Sequence, residues 1–183
     1  MRIAALLFLL LAAPALAQPR PAGRAAELDA LFAGLKLAPS EATAERVEAR
    51  IRELWAQATA PTALLLIRRA GRELAADAAE EALDDADAAL VLDPATPVGL
   101  QCQAEARYAT GDYAGALADL RAALQREPRF FPAFETLSRI AEDHDDAKGA
   151  LAAWQKRLEI SPKTPDGEER LKTLTRKAMG DAT

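Results

Sequence analysis

Between Tyr113 and Leu124 apolar or small residues fall at 113, 116, 117, 120, 123 and 124, with polar side chains between them. Steps of three and four place them on one face of a helix. Gly111 suits the left-handed turn that ends a preceding helix, Asp112 suits the cap of the next, and Pro128 marks the stop. The rest of the chain shows the same rhythm. Leu28, Leu31, Phe32 and Leu35 predict one short amphipathic helix, and Pro39-Ser40 interrupts it. Ala44, Val47, Ile51, Leu54, Trp55 and Ala58 predict a second, with Ser40 placed to cap it. Leu64-Leu65-Leu66-Ile67 is apolar all round for a turn, which predicts a helix buried on more than one side. A helix from about Ala78 to Leu92 follows. Later come Phe134, Leu137 and Ala141, then Ala147, Ala150, Leu151, Trp154 and Leu158. Asp166 and Glu169 have capping-box spacing, Leu171, Leu174 and Ala178 give a narrow apolar stripe, and Gly180 ends it. Nowhere do β-branched and polar residues alternate as in a strand, so the fold class expected is all-α.

The pattern is periodic. Pro94, Pro128 and Pro162 stand 34 residues apart, as do Ala82/Ala116/Ala150, Leu83/Leu117/Leu151, Leu90/Leu124/Leu158, Ala86/Leu120/Trp154 and Ala70/Ala104/Ser138. Two helices that cross closely leave no room for large side chains, and Ala70/Ala104/Ser138 with Ala82/Ala116/Ala150 supply small ones on both sides. A helix pair of this length, with its Gly-Asp-Tyr turn and terminal Pro, resembles the tetratricopeptide repeat family. The resemblance spans residues 63 to 162. It implies a right-handed superhelical solenoid of antiparallel helix pairs. Within an array at 61–164 the units fall at 63–96, 97–130 and 131–164. Residues 27–60 break the register, since Glu48 lies 34 before Ala82 and Lys36 lies 34 before Ala70. They are expected to form a divergent helical hairpin that caps the N-terminal end, and 165–183 a C-terminal capping helix and tail. Two departures stand out. Arg69, Gln103 and Leu137 share a place where the family usually has Leu, and Asp77-Ala78-Ala79 and Asp145-Asp146-Ala147 replace Gly-Asp-Tyr.

What the resemblance implies for function is a concave groove lined by the first helix of each unit. Its residues here would be Leu64, Ile67 and Leu74, then Val98, Gln101, Glu105 and Tyr108, then Glu135, Arg139 and Glu142. That groove would grade from apolar to acidic, unless Leu64 and Ile67 pack on the N-terminal hairpin. Members that bind chaperones grip a terminal carboxylate with Lys and Asn. Here Gln101, Glu105 and Glu135 stand instead, so a carboxylate clamp is disfavoured. The expected partner is a protein or an extended peptide, and the alternative is a homodimer formed through the apolar end. The family pattern turns Tyr108 toward the concavity and runs the packing stripe through Arg107. In the other reading Tyr108 fills the core, because burying Arg107 would be costly.

The first residues read as an address. Arg2 is a short positive start, Ile3 to Ala13 an apolar run, and Ala15-Leu16-Ala17 a small-x-small cleavage site. The run is shorter than the about 20 residues a membrane span needs. Residues 1–17 are therefore expected to be a secretory signal of bacterial layout, cut between Ala17 and Gln18, with a periplasmic or secreted mature chain and no stable membrane insertion. No Cys follows the run, which excludes a lipid-attached cysteine. Two prolines and a glycine make 18–26 a flexible mature N-terminus.

Composition narrows the chemistry. The chain has 183 residues, enough for one continuous core, and a net charge of −5 that argues against non-specific nucleic-acid binding. One Cys, Cys102, cannot form an internal disulfide. His144, the single histidine, sits among Glu142, Asp143, Asp145 and Asp146, which reads as an exposed turn and not as a metal or acid/base site. Asp84, Asp85 and Asp87 lack calcium-loop spacing and read as a solvated outer face. Ser40 and Ser138 sit in no nucleophile motif, and no glycine-rich phosphate loop is present. Trp55 and Trp154 sit on apolar stripes and read as core. No enzyme activity, cofactor or metal is expected.

Overall fold

The computed structural model describes residues 21–180. Among the described residues the helices are α1 Pro21–Lys36, α2 Glu41–Ala58, α3 Pro61–Ala75, α4 Ala79–Leu92, α5 Pro97–Ala109, α6 Tyr113–Arg126, α7 Phe131–Asp143, α8 Ala147–Ile160 and α9 Gly167–Met179, with no strand. The proposed signal at 1–17 lies outside the described residues. Proline opens the first turn of α3, α5 and α7, where its missing N–H costs nothing. Asp112 and Asp146 cap α6 and α8 by accepting from the N–H of Gly115 at 2.9 Å and of Gly149 at 2.8 Å. Asp77, Gly111 and Asp145 all have positive φ, at 59°, 88° and 57°. Aspartate tolerates the left-handed region, so the three turns share one geometry although only one holds glycine.

The helices pair as α3 with α4, α5 with α6 and α7 with α8, and α4 packs on α5 and α8 on α9. At each crossing the small residues are wholly buried: Ala70, Ala104 and Ser138 on one side, Ala82, Ala116 and Ala150 on the other. The all-helical repeat solenoid and its 34-residue register thus stand as read. The polar residues at the Leu position are paired. Arg69 binds Asp85, and the Gln103 amide donates to Asp87 at 2.5 Å. Asp85 is therefore buried, not on a solvated face, because a guanidinium from the partner helix reaches it.

At the C-terminal end α9 does more than cap. A Cβ on Gly99 would lie 2.7 Å from Thr96 and 2.9 Å from Leu90, and one on Gly167 would lie 2.8 Å from Thr164 and 3.0 Å from Leu158. The two glycines are two periods apart and meet the same neighbours. Hence α9 docks as the first helix of a fourth unit.

The N-terminal hairpin differs most from expectation. Helix α1 already begins at Pro21, so residues 21–26 of the segment read as flexible are helical, with proline in the opening turn. Nor does the hairpin cap α3. It lies across the base of the array, where first helices begin and second helices end. There Trp55 packs its ring 4.7 Å from Phe130 and 5.2 Å from Phe131, with Phe32 at 6.0 Å on its other side. Asp29 accepts from Arg129 at 2.7 Å, and Thr59 shares a 2.8 Å bond with Thr96. Arg157, wholly buried in α8, donates to Glu48 of α2 at 2.7 Å and to Thr164 at 2.8 Å. The reason is in the register. Glu48 stands where a stacking unit needs alanine, so the hairpin cannot dock as a unit and turns its aromatic stripe on Phe130 and Phe131 instead. Helix α3 packs on both α4 and α5, as expected of a helix buried on more than one side, and is open on its remaining side, where Leu65 is 65% exposed.

Candidate partner-binding cleft

Three first helices, α5, α7 and α9, border a cleft of about 880 Å³. Helix α5 contributes Glu105, α7 contributes Glu135, Thr136, Arg139 and Glu142, and α9 contributes Asp166, Glu169, Arg170, Thr173 and Leu174. Steps of three and four along α7 put Glu135, Arg139 and Glu142 on one face. The opposite face carries Ile140, which is 3% exposed and belongs to the core. The walls are held by polar bonds. The buried Gln101 amide donates to Glu105 at 2.8 Å and to the Thr136 hydroxyl at 2.7 Å, which ties α5 to α7. Arg170 reaches from α9 to Glu142 at 2.5 Å and Ser138 at 3.3 Å, and its guanidinium lies 4.8 Å from the Trp154 ring. Glu142 also accepts from Lys177 at 3.0 Å. Glu135 accepts from Arg157 at 2.6 Å and faces Arg52 at 3.9 Å.

The expected groove residues separate into two groups. Glu105, Glu135, Arg139 and Glu142 line the cleft, with Gln101 bonded beneath Glu105. Leu64, Ile67, Leu74 and Val98 do not line it. Ile67 is buried, and its carbonyl accepts from the Cys102 thiol at 3.8 Å, while Leu74 and Val98 pack on core clusters and Leu64 is half-buried on α3. Ile67 and Leu74 of the first unit are used in the core that α3 shares with α4 and α5. Tyr108 is half-buried. Its hydroxyl donates to Asp143, its ring packs at the edge of the core, and the Arg139 guanidinium lies 5.6 Å from the ring centre. Arg107 escapes the cost of burial by pairing with Asp119 at 2.9 Å. The α9 side of the cleft was missed by sequence reasoning. The Gly99/Ala133/Gly167 series, each one period from the last, was the signal that could have found it.

The remaining titratable groups serve packing. Burial pushes the Cys102 thiol up to about 12, with help from Glu105, Asp85 and Glu73. Burial also raises Asp119 to about 6, against the pull of Arg107. His144 meets the Tyr113 ring edge-on at 4.1 Å, and among the described residues no three His, Cys, Asp or Glu side chains converge as metal ligands. No described helix is long and apolar enough to cross a membrane. The cleft can therefore hold charged and hydrogen-bonding groups, and nothing in it pairs a nucleophile with a base.

No family model matches the chain. It is 28% identical over 156 residues to a TPR repeat-containing protein of Rhizobium etli, covering 85% of this chain and 76% of that one. Among solved structures, the Sgt2 TPR domain of Aspergillus fumigatus is 28% identical with a TM-score of 0.59, over 66% of this chain and 82% of that one. The first TPR of Spaghetti (RPAP3), bound to the HSP90 peptide SRMEEVD, has a TM-score of 0.60 at 18% identity, over 67% of this chain and 99% of that one. The TPR2AB domain of yeast Sti1, in complex with HSP90, has a TM-score of 0.57 at 14% identity, over 87% and 64%. The last two show likeness of fold.

Proposed function

We propose that this chain, similar to TPR repeat-containing proteins in sequence and fold, is a tetratricopeptide repeat protein and a non-catalytic scaffold of the bacterial cell envelope, binding an extended segment of a partner protein in the cleft between α5, α7 and α9. The cleft itself carries the reading, because it is open, wide enough for a peptide, and walled by side chains that other bonds already hold in place. A neighbouring fold binds an HSP90 peptide, which supports peptide binding on this architecture. The ligand of this chain is of another kind. Carboxylates dominate its cleft, with Glu105, Glu135, Glu142, Asp166 and Glu169 against Arg139 and Arg170, so a terminal carboxylate finds no clamp. The envelope address rests on Arg2, the apolar run and Ala15-Leu16-Ala17.

A photo-crosslinking residue placed at Arg139 or Glu105 in the exported chain tests the binding. Irradiation in native cells should join it to a protein partner, and the same residue at the exposed Ala118 of α6 should not. Equal yields from the two faces would remove the cleft from the function. Intact mass tests the address, with a chain beginning at Gln18 expected and one retaining Met1 to Ala17 contradicting it. Self-association is a second reading, favoured by the exposed Leu65 on the open side of α3. Light scattering on the mature chain separates the two, since a dimer broken by Leu65→Lys supports the second.

A further inference from the structure

The three units differ at one pair of equivalent positions between their helices. The first unit places Glu73 and Asp85 there, with Arg69 bound to Asp85 and 3.3 Å from Glu73. In the second, Arg107 and Asp119 pair at 2.9 Å. At the same register the third has Ala141 and Ala153, and Leu137 replaces the residue that is Arg69 or Gln103 in its neighbours. Two methyl groups cannot fill a space that an ion pair fills elsewhere. The space is an open pocket of about 460 Å³, walled by Tyr113, Leu117, Leu137, Ile140 and the two alanines. It lies on the face of α7 opposite the cleft. Residues 137, 140, 141 and 144 border the pocket, and residues 135, 139 and 142 border the cleft.

The mouth is acidic. His144 stands there against Tyr113, flanked in sequence by the exposed carboxylates Asp143, Asp145 and Asp146. Of these Asp146 lines the pocket itself, whereas Asp143 accepts from the Tyr108 hydroxyl and Asp145 lines a neighbouring pocket with Arg176 and Lys177. Asp112, beside Tyr113 of the pocket wall, adds a second carboxylate and has Arg107 at 3.8 Å as its basic neighbour. Lys148 is the one Lys or Arg between residues 142 and 155. We propose that this pocket is a second binding site, which takes one bulky apolar side chain of a partner segment carrying Lys or Arg on both sides of it. The apolar walls hold the anchor by removing it from water, and the carboxylates at the rim select for cations and against acidic segments. Because the two sites use opposite faces of α7, one chain can hold a segment in each.

The full mature chain, labelled with ¹⁵N, is titrated with the peptide Lys-Lys-Trp-Lys-Lys. Amide signals of Leu117, Ala141, His144 and Ala153 should shift. Replacing the peptide's Trp by Ala, or its four Lys by Glu, should each weaken binding about tenfold or more, as for losing a buried anchor or reversing a complementary charge. Ala141→Arg with Ala153→Asp rebuilds the pair of the second unit inside the pocket and should weaken binding to a similar degree. Ala153→Leu, which fills the pocket with one apolar side chain, should do the same if the double variant does not fold. Arg68→Ala, on the exposed face of α3, should leave binding unchanged. Equal binding of the acidic peptide, undiminished binding by whichever pocket variant folds, shifts confined to Arg139 and Glu169, or no shift at all would each overturn the proposal.

Discussion

At the scale of single residues, burial sets the behaviour of the reactive groups. Cys102 is 6% exposed and its thiol is pushed up to about 12, so almost no thiolate exists near neutrality. A disulfide reagent at pH 8 should leave the folded chain unmodified and react once urea unfolds it, and fast labelling of the native protein would contradict this packing. Asp119 binds its proton more tightly than an ordinary aspartate, at about 6 against 3.8, because burial outweighs the attraction of Arg107. Its contribution to stability is therefore full below about pH 4 and lost as pH rises through about 6. A carbon-detected titration should give Asp119 a midpoint near 6, and Asp119→Asn should reduce the fall in urea midpoint between pH 4 and 6. A midpoint near 4 would mean that the carboxylate is open to water.

Among elements, two kinds of contact hold the array, and they fail differently. Ala116 is wholly buried where α6 crosses α5, whereas Ala118 is exposed on the same helix. Ala116→Leu should cost about 1–3 kcal/mol through overpacking, and Ala118→Leu should be near neutral. Equal shifts in urea midpoint would contradict the crossing. The contact between α2 and α8 is ionic. Arg157 is wholly buried and the Glu48 side chain is 3% exposed, so Arg157→Met leaves that buried carboxylate with only the longer, half-exposed Arg52 contact at 3.4 Å and should cost about 3 kcal/mol. Adding Glu48→Leu should return much of that loss, because the buried charge that has lost its nearer partner is what the single change leaves behind. A double variant no more stable than Arg157→Met would show that Glu135 and Thr164, not Glu48, make Arg157 necessary.

Over the whole molecule, the ends of the solenoid are finished by different means. The inner units dock through a buried stripe, Gly99, Cys102 and Ala106 in one and Ala133, Thr136 and Ile140 in the next. At the same register the first unit has Leu65, Arg68 and Arg72, all exposed, so no preceding unit fits against it. The hairpin is then free to lie along the base, where it covers Phe130 and Phe131. A chain begun at Ala60 should uncover both rings, melt lower than the full chain and elute as a larger species on a sizing column. If its melting temperature is unchanged, the hairpin is an appendage and not part of the core.

The period, the helix pairs, their caps and their small crossing residues are determined by the sequence alone. Each depends on residues within one turn of each other or one unit apart, and a 34-residue register states those relations directly. Glu105, Glu135, Arg139 and Glu142, which line the cleft, were placed on the groove side by the resemblance to the tetratricopeptide repeat family and not by the period. Tertiary structure decided the rest. The hairpin is fixed by Arg157 with Glu48 and Arg129 with Asp29, pairs separated by 109 and 100 residues that no periodicity relates. Ile67 and Leu74 offered an apolar stripe that suits either a groove or a helix contact, and the hairpin's departure to the base left α5 as their partner. The pocket beside α7 exists because Ala141 and Ala153 face each other across two helices. In sequence they look like two more alanines in an alanine-rich chain, and the space between them belongs only to the fold.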